Sequence, residues 1–191
     1  MKQPLTHTRF FIIGNADEQQ ALTEAVGADD IIIRFNNPNP SCTLQADWLF
    51  LANGYTQCRK LDLTNQHLFK PDMTIFFRYF TADILYGHYQ NIPYSRRLKY
   101  LFRFPSFKKR YQLNQYEQTV VASDIYRHCA QIIGNRQPST GLLAIYHILA
   151  NHPHHTVFVH NFTNEGWVGH DWDGERVLMQ KLLQEQKIIA V

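Results

Sequence analysis

The feature that most limits the possible folds of this chain is a series of short, continuous apolar runs. Turn-forming residues follow each run. The first three runs are Arg9–Ile13, Asp30–Phe35 and Trp48–Ala52, and glycine, asparagine or proline follows each of them. A strand without polar alternation is buried on both faces, which is typical of a parallel sheet between layers of helices. The pattern therefore predicts an α/β fold in which strands and helices alternate along the chain.

The rest of the chain extends this alternation. We expect further strands at Thr74–Phe77, Thr119–Ala122, Thr156–Val159 and Ile188–Val191, and helices at Asp17–Val26, Leu98–Phe104, Ser123–Ile133, Pro138–His152 and Glu175–Gln184. Ser123 with Asp124 offers one helix cap, and Asp173 offers another. A length of 191 residues suits one domain. We therefore predict a single Rossmann-like domain over residues 1–191, with a mostly parallel twisted sheet and helices on both faces.

Composition narrows the class of protein further. Apolar residues make up 45% of the chain and charged residues 18%, which is an ordinary globular balance. No apolar run approaches the roughly 20 residues of a membrane-spanning helix, and Met1–Arg9 lacks the apolar centre of a signal peptide. The three cysteines show no CxxC spacing, which disfavours a disulfide framework or a zinc site. We expect a cytoplasmic protein.

One segment concentrates positive charge, although the formal net charge of the whole chain is only +3. Seven Lys and Arg residues lie within Arg96–Arg110, interleaved with four aromatic residues and with no acidic residue. One interpretation is a solvated basic face whose aromatic rings pack inward. The other is a surface that attracts phosphate-bearing partners such as anionic lipid head groups or a charged glycan. The low bulk charge does not favour a nucleic-acid partner.

Two segments resemble places where a ligand could sit. Gly14 and Asn15 follow the first strand, and in open α/β sheets ligands bind beyond the carboxyl ends of strands. Pro138-Ser139-Thr140-Gly141 begins a helix, where free N–H groups and the helix dipole favour an anion. Each also has a plain structural interpretation, since Gly-Asn is a common turn and Ser139 is an ordinary helix cap.

His170 is a candidate general base, because it follows Gly169 in a predicted loop and an imidazole titrates near neutral pH. The alternative is an exposed histidine, one of ten in the chain. Five histidines between His152 and His170 could suggest a metal site. They show no HExxH or similar register, so no metal is predicted.

Taken together, these segments resemble the sialyltransferases of glycosyltransferase family 29. The family's long motif matches Phe11-Ile12-Ile13-Gly14-Asn15 and Ile31-Ile32-Ile33-Arg34-Phe35-Asn36. Its short motif matches Pro138-Ser139-Thr140-Gly141 with the following apolar helix and strand. Its last motif, a histidine and a glutamate separated by four residues, matches His170 and Glu175. The resemblance covers about residues 9–53 and 119–191.

This resemblance implies a metal-independent enzyme without a cofactor, which uses a CMP-sugar donor and a glycan or glycolipid acceptor. Gly14, Asn15, Asn36, Ser139, Thr140 and Gly141 would hold the donor, and Arg34 and Glu175 would support the site. His170 would be the general base, taking the proton of the acceptor hydroxyl as its oxygen attacks the anomeric carbon with inversion. The Arg96–Arg110 stretch is a candidate contact with the inner membrane face.

The chain also departs from the family pattern. Animal members have a membrane anchor and a disulfide between the long and short motifs, whereas here Phe10 lies where the first cysteine would be. The histidine- and aromatic-rich motif that precedes the last one is missing, so His160 or an ordered backbone group is the candidate that would help protonate the leaving phosphate. Ala16 stands where serine is common. Two alternatives therefore remain: a non-catalytic nucleotide- or sugar-binding domain of the same fold, and a membrane or nucleic-acid module based on the basic stretch.

Overall fold

The seven strands of the described residues lie in one parallel sheet with the order β5-β4-β3-β2-β1-β6-β7. The computed structural model describes residues 8–17, 22, 25–87, 92–163, 166 and 169–191. Its strands are β1 (Phe10–Ile13), β2 (Ile31–Phe35), β3 (Ala46–Leu51), β4 (Phe69–Phe77), β5 (Glu117–Val120), β6 (Val157–His160) and β7 (Ile189–Ala190). The predicted α/β, Rossmann-like fold is confirmed.

Six α-helices lie between or after these strands in the described residues. They are α1 (Gln57–Lys60), α2 (Tyr94–Arg97), α3 (Tyr100–Arg110), α4 (Ser123–Ile132), α5 (Thr140–Asn151) and α6 (Trp172–Gln184). Short 3-10 turns cover Gln66–Leu68 and Leu113–Gln115, and a π-helical turn covers Asp83–Gly87. None of the described helices is long and apolar enough to cross a bilayer. The helix predicted at Asp17–Val26 falls largely outside the described residues.

Helices cover both faces of the sheet, as β4 shows. Phe76 contacts the ring of His147 in α5, with centroids 5.0 Å apart. Its neighbour Phe77 contacts Phe104 in α3 edge to face at 4.9 Å. Because successive strand residues point to opposite faces, α5 and α3 lie on opposite sides. The central strands are correspondingly apolar throughout, and every residue of β1 is almost fully buried.

Three local predictions are wrong in detail. The helix predicted at Leu98–Phe104 continues through Pro105 to Arg110, because its inner face buries Tyr100 and Phe107 against the core. No side chain caps α4, since the Ser123 hydroxyl donates to Asp83 instead. Finally, α6 begins at Trp172 and is capped by Asp171, whose carboxylate accepts the Gly174 N–H at 3.1 Å.

Candidate functional site

The carboxyl ends of β1 and β6 border a polar crevice at the point where the order of strand addition reverses. The chain adds β2 to β5 on one side of β1, then crosses over to place β6 and β7 on the other side. Such a reversal in a parallel sheet leaves a gap between crossover connections, where ligands commonly bind. The crevice here encloses about 310 Å³, within the range of about 300–1,000 Å³ for small-molecule sites.

Residues from five separate segments of the chain line this crevice. They are Gly14, Asn15, Ala16, Phe35, Asn36, Ser139, Thr140, Gly141, Asn161, Phe162, Thr163, His170 and Trp172. The structure thus brings together the predicted base His170 and all six residues predicted to hold a donor. The two predicted supporting residues, Arg34 and Glu175, lie outside the lining.

Gly14 is required where β1 meets β6. Its N–H donates to the His160 carbonyl at 2.8 Å, which continues the pairing between the two strands. A Cβ at position 14 would lie 2.1 Å from the carbonyl oxygen of Asn161, closer than any side chain permits. Gly141 is similarly constrained, since a Cβ there would lie 2.6 Å from the ring of Phe162. Both glycines allow the floor of the crevice to close tightly.

Asparagines follow β1, β2 and β3 and tie neighbouring strand ends together. Asn15 donates to the Phe35 carbonyl at 3.2 Å, and Asn36 accepts the N–H of Ala52 at 2.9 Å. Asn53 accepts the N–H of Tyr79 at 2.9 Å, beyond the end of β4. Each side chain therefore forms one hydrogen bond with the backbone at the end of the next strand. Asn15 and Asn36 are consequently fixed in place at the crevice edge.

Asn161, after β6, is the exception to this series. It adopts a left-handed conformation with φ of +55°, which asparagine tolerates better than most residues. Its amide nitrogen is buried, yet it has no hydrogen-bond partner among the described residues. A buried donor without an acceptor costs free energy, and because Asn161 also lines the crevice, its amide is a candidate donor to a bound ligand. Asn161 was not predicted from the sequence, although it follows a strand as the other asparagines do.

The N-terminus of α5 contributes further donors. Ser139 caps this helix, and its hydroxyl accepts the N–H of Leu142 at 3.1 Å. Thr140 and Gly141 follow in the first turn and line the crevice. Early N–H groups of a helix have no partner within the helix and lie at the positive end of its dipole. The crevice wall formed by α5 therefore favours a negatively charged group.

Three side chains from other parts of the fold each hydrogen-bond to one residue of the turn before α5. Nδ1 of His170 lies 2.7 Å from the Gln137 carbonyl. The guanidinium of Arg78, just after β4, donates to the Pro138 carbonyl. Glu175 in α6 accepts the N–H of Ser139 at 2.6 Å. These three contacts preorganise the helix N-terminus and fix His170 relative to it.

The contact with Gln137 determines the tautomer of His170. A carbonyl only accepts hydrogen bonds, so Nδ1 must carry the proton and Nε2 holds a lone pair in the neutral ring. Burial lowers the pKa of His170 below its ordinary value, the hydrogen bond to Gln137 partly opposes this, and the positive charge of Arg78 lowers it further. The imidazole is therefore neutral at pH 7, the state that a general base requires.

Arg78 and Glu175 form a buried charged layer beneath the crevice. Arg78 is 3% exposed and Glu175 is 1% exposed. Burial raises the pKa of Glu175, while the hydrogen bonds from Ser139 and the charge of Arg78 act in the opposite direction. Glu175 thus supports the site through Ser139. Arg78 was not predicted from the sequence, where its only signal is a charged residue directly after an apolar strand.

Arg34 and His160 occupy structural positions away from the crevice lining. Arg34, within β2, is fully buried and donates to the carbonyls of Asn39, Cys42 and Leu44. It therefore holds the loop after β2. Nδ1 of His160 lies 2.6 Å from the carbonyl of Val191, on the β7 side of the sheet. Neither residue lines the crevice.

A larger groove lies on the outer side of α4, α5 and α6. It encloses about 1140 Å³, and most of its lining is apolar, including Ile132, Tyr146, Leu149 and Val177. Its lining comes mainly from these three helices, whereas the polar groups described above converge at the strand ends. Among the described residues, no three histidine, cysteine or acidic side chains converge as metal ligands would.

Comparisons with family models, with curated proteins and with solved structures found no match to this chain.

Proposed function

We propose that this protein is a glycosyltransferase similar to the sialyltransferases, which transfers a sugar from a CMP-sugar to a glycan hydroxyl with inversion. One observation supports the proposal most: a neutral histidine with its Nε2 lone pair lines the same crevice as a helix N-terminus suited to phosphate. The sugar would be a sialic acid or a related acid. The predicted base and the six residues predicted to hold the donor, distant along the chain, line this crevice, and Glu175 supports it through Ser139.

In the proposed reaction, each part of the crevice has one role. The acceptor oxygen attacks the anomeric carbon and forms the new C–O bond, while its proton passes to Nε2 of His170. The bond from the anomeric carbon to the phosphate oxygen breaks, and CMP leaves with that electron pair. The N–H groups of Thr140 and Gly141 would stabilise the charge that develops on the leaving phosphate. Asn161, which also lines the crevice, would supply a further donor.

The test combines nucleotide binding with turnover in one variant. His170→Asn retains a side-chain amide that can donate to Gln137 but has no basic nitrogen. We expect transfer to fall by about 10²–10⁴-fold, the usual contribution of a general base, while CMP still raises the thermal midpoint. His154→Asn, at an exposed histidine outside the crevice, is the matched control and should change neither value.

The pH profile of transfer gives an independent readout. Protonation of His170 would abolish its role as a base, so activity should fall as the pH drops through its pKa. Because burial lowers that pKa, the midpoint of this fall should lie below pH 6.5. Undiminished transfer by His170→Asn would refute the base assignment. Selective CMP binding without turnover, over a panel of CMP-sugars and acceptors, would favour the non-catalytic binding domain.

A further inference from the structure

The segment around α3 carries much more positive charge than the rest of the protein. Residues 84–116 contain seven Lys and Arg residues and no acidic residue. The whole chain has 19 basic and 16 acidic residues, so the remainder has 12 basic and 16 acidic residues and a net charge of −4. A charge asymmetry of this size orients a protein toward an anionic partner.

Aromatic and aliphatic side chains are exposed within this charged segment. In α3, Tyr100 and Phe107 are buried, while Leu101 and Phe102 point outward, and Phe102 is 76% exposed. Tyr86 and Tyr94 stack on each other nearby, and Tyr86 is 65% exposed. The prediction that the aromatic residues of this stretch pack inward is therefore correct for only some of them. An amphipathic helix with basic residues beside exposed Leu and Phe is typical of a helix that lies in a membrane interface.

Four basic side chains, those of Arg96, Arg97, Lys99 and Arg103, divide into two groups. Arg97 donates to the Leu85 carbonyl and lies over the ring of Tyr94, and Arg103 lies over the ring of Tyr55. These two arginines hold the segment together. Arg96 and Lys99 are exposed beside Leu101 and Phe102, where they are available to an anionic surface.

The start of α3 lies at the same edge of the sheet as the crevice. The hydroxyl of Tyr100 donates to the carbonyl of Asn53, just beyond β3, at 2.8 Å. The ring of Phe104 packs on Phe77, the last residue of β4. Both contacts involve residues at or beyond the carboxyl ends of strands. The crevice also lies at the carboxyl ends of strands.

We propose that Tyr86, Tyr94, Arg96, Lys99, Leu101 and Phe102, the interfacial surface, dock the protein on an anionic lipid bilayer. Leu101 and Phe102 enter the boundary between head groups and acyl chains, while Arg96 and Lys99 contact lipid phosphates. The protruding aliphatic and aromatic pair favours a bilayer over a nucleic acid, because Leu101 has neither a π-face for base stacking nor a polar group for a base edge. This binding is independent of the proposed sugar transfer.

Vesicle binding by the full chain, without donor or acceptor, tests this proposal. We expect binding to phosphatidylcholine vesicles that contain about one-third phosphatidylglycerol, binding that weakens with salt, and little binding to pure phosphatidylcholine. Arg96→Gln and Lys99→Gln should each weaken binding about fivefold. Phe102→Ser should weaken it at least about tenfold, because a buried aromatic side chain contributes more than one tenfold step.

Two variants outside the interfacial surface serve as matched controls. Val177→Ser removes an apolar side chain that is 68% exposed on α6, and Arg136→Gln removes an exposed charge before α5. Both should bind vesicles as the unmodified protein does. Equal binding to neutral vesicles, or unchanged binding by Phe102→Ser, would overturn the proposal. Tighter binding to duplex or single-stranded nucleic acid than to anionic vesicles would overturn it in favour of a nucleic-acid surface. None of these outcomes bears on CMP binding.

Discussion

At the scale of single residues, the asparagines at the strand ends separate structural from ligand-binding roles. Asn15, Asn36 and Asn53 each hydrogen-bond to the backbone of a neighbouring strand end. Asn161 occupies the corresponding place after β6, but its buried amide nitrogen has no partner among the described residues. Asparagine therefore links neighbouring strand ends at three positions, and at the fourth position a crevice-lining asparagine has an unsatisfied donor.

This contrast yields a prediction for Asn161→Gly. Glycine adopts the left-handed backbone conformation of this position without strain. Removing the amide nitrogen breaks no hydrogen bond with a described residue. We expect the thermal midpoint of the ligand-free protein not to fall by more than about 1–2 °C, which corresponds to a few tenths of a kcal/mol. If Asn161 donates to the nucleotide, the Kd for CMP should rise about tenfold or more.

Asn135→Gly is the matched control, because Asn135 has a similar φ of +60° but is exposed in the turn after α4. Its CMP affinity should equal that of the unmodified protein. Calorimetric titration of both variants with CMP checks the prediction. A large loss of stability without loss of affinity in Asn161→Gly would assign Asn161 a purely structural role.

At the scale of elements, α5 combines an apolar face with a half-buried histidine. His147 packs edge to face on Phe50 and Phe76, with centroids 5.6 Å and 5.0 Å away. Burial, together with the smaller effect of the nearby His152, lowers the pKa of His147 to about 4. Folding therefore requires that this imidazole stay neutral, while the unfolded chain takes up a proton near pH 6.5.

His147 consequently makes the stability of the protein pH-dependent. As the pH falls below 6.5, protonation favours the unfolded state, and the loss is complete only near pH 4. Between about pH 7 and pH 5 this residue should lower the free energy of unfolding by about 2 kcal/mol. The loss of stability with acidification should be smaller in His147→Phe, which keeps an aromatic ring on Phe50 and Phe76 but does not titrate.

Urea unfolding at the two pH values measures this difference. His154→Phe, at an exposed histidine in the turn after α5, is the control and should retain the full pH dependence. The same pH dependence in His147→Phe and in the unmodified protein would show that His147 is hydrated or charged in the folded state.

Most of the elements could be predicted from local patterns, whereas their convergence depended on strand order. The runs before Gly14 and Asn36 predicted strands because strand burial is encoded in consecutive residues. The contact of Arg78 with Pro138 joins residues 60 positions apart, and no local pattern encodes such a pairing. The family resemblance predicted that Ser139 and His170 share a site, but the unsatisfied donor of Asn161 became visible only from the structure.

At the scale of the whole molecule, strand burial decreases from the centre of the sheet to its edges. The four residues of β1 are almost fully buried, and the strand pairs with both β2 and β6. β5 alternates exposed and half-buried residues, and β7 has two exposed residues. The crevice therefore lies beside the most deeply buried strand, which provides a rigid base for its lining residues.

This gradient predicts the order of amide hydrogen exchange. The amides of β1 should open only with global unfolding, because both neighbouring strands must separate before its hydrogen bonds break. The amides of β5 and β7 should exchange at least about 10–100-fold faster through local fraying at the sheet edges. Hydrogen exchange followed by NMR measures each strand separately. If β7 were protected as strongly as β1, a further segment of chain or a second molecule would have to cover that edge in solution.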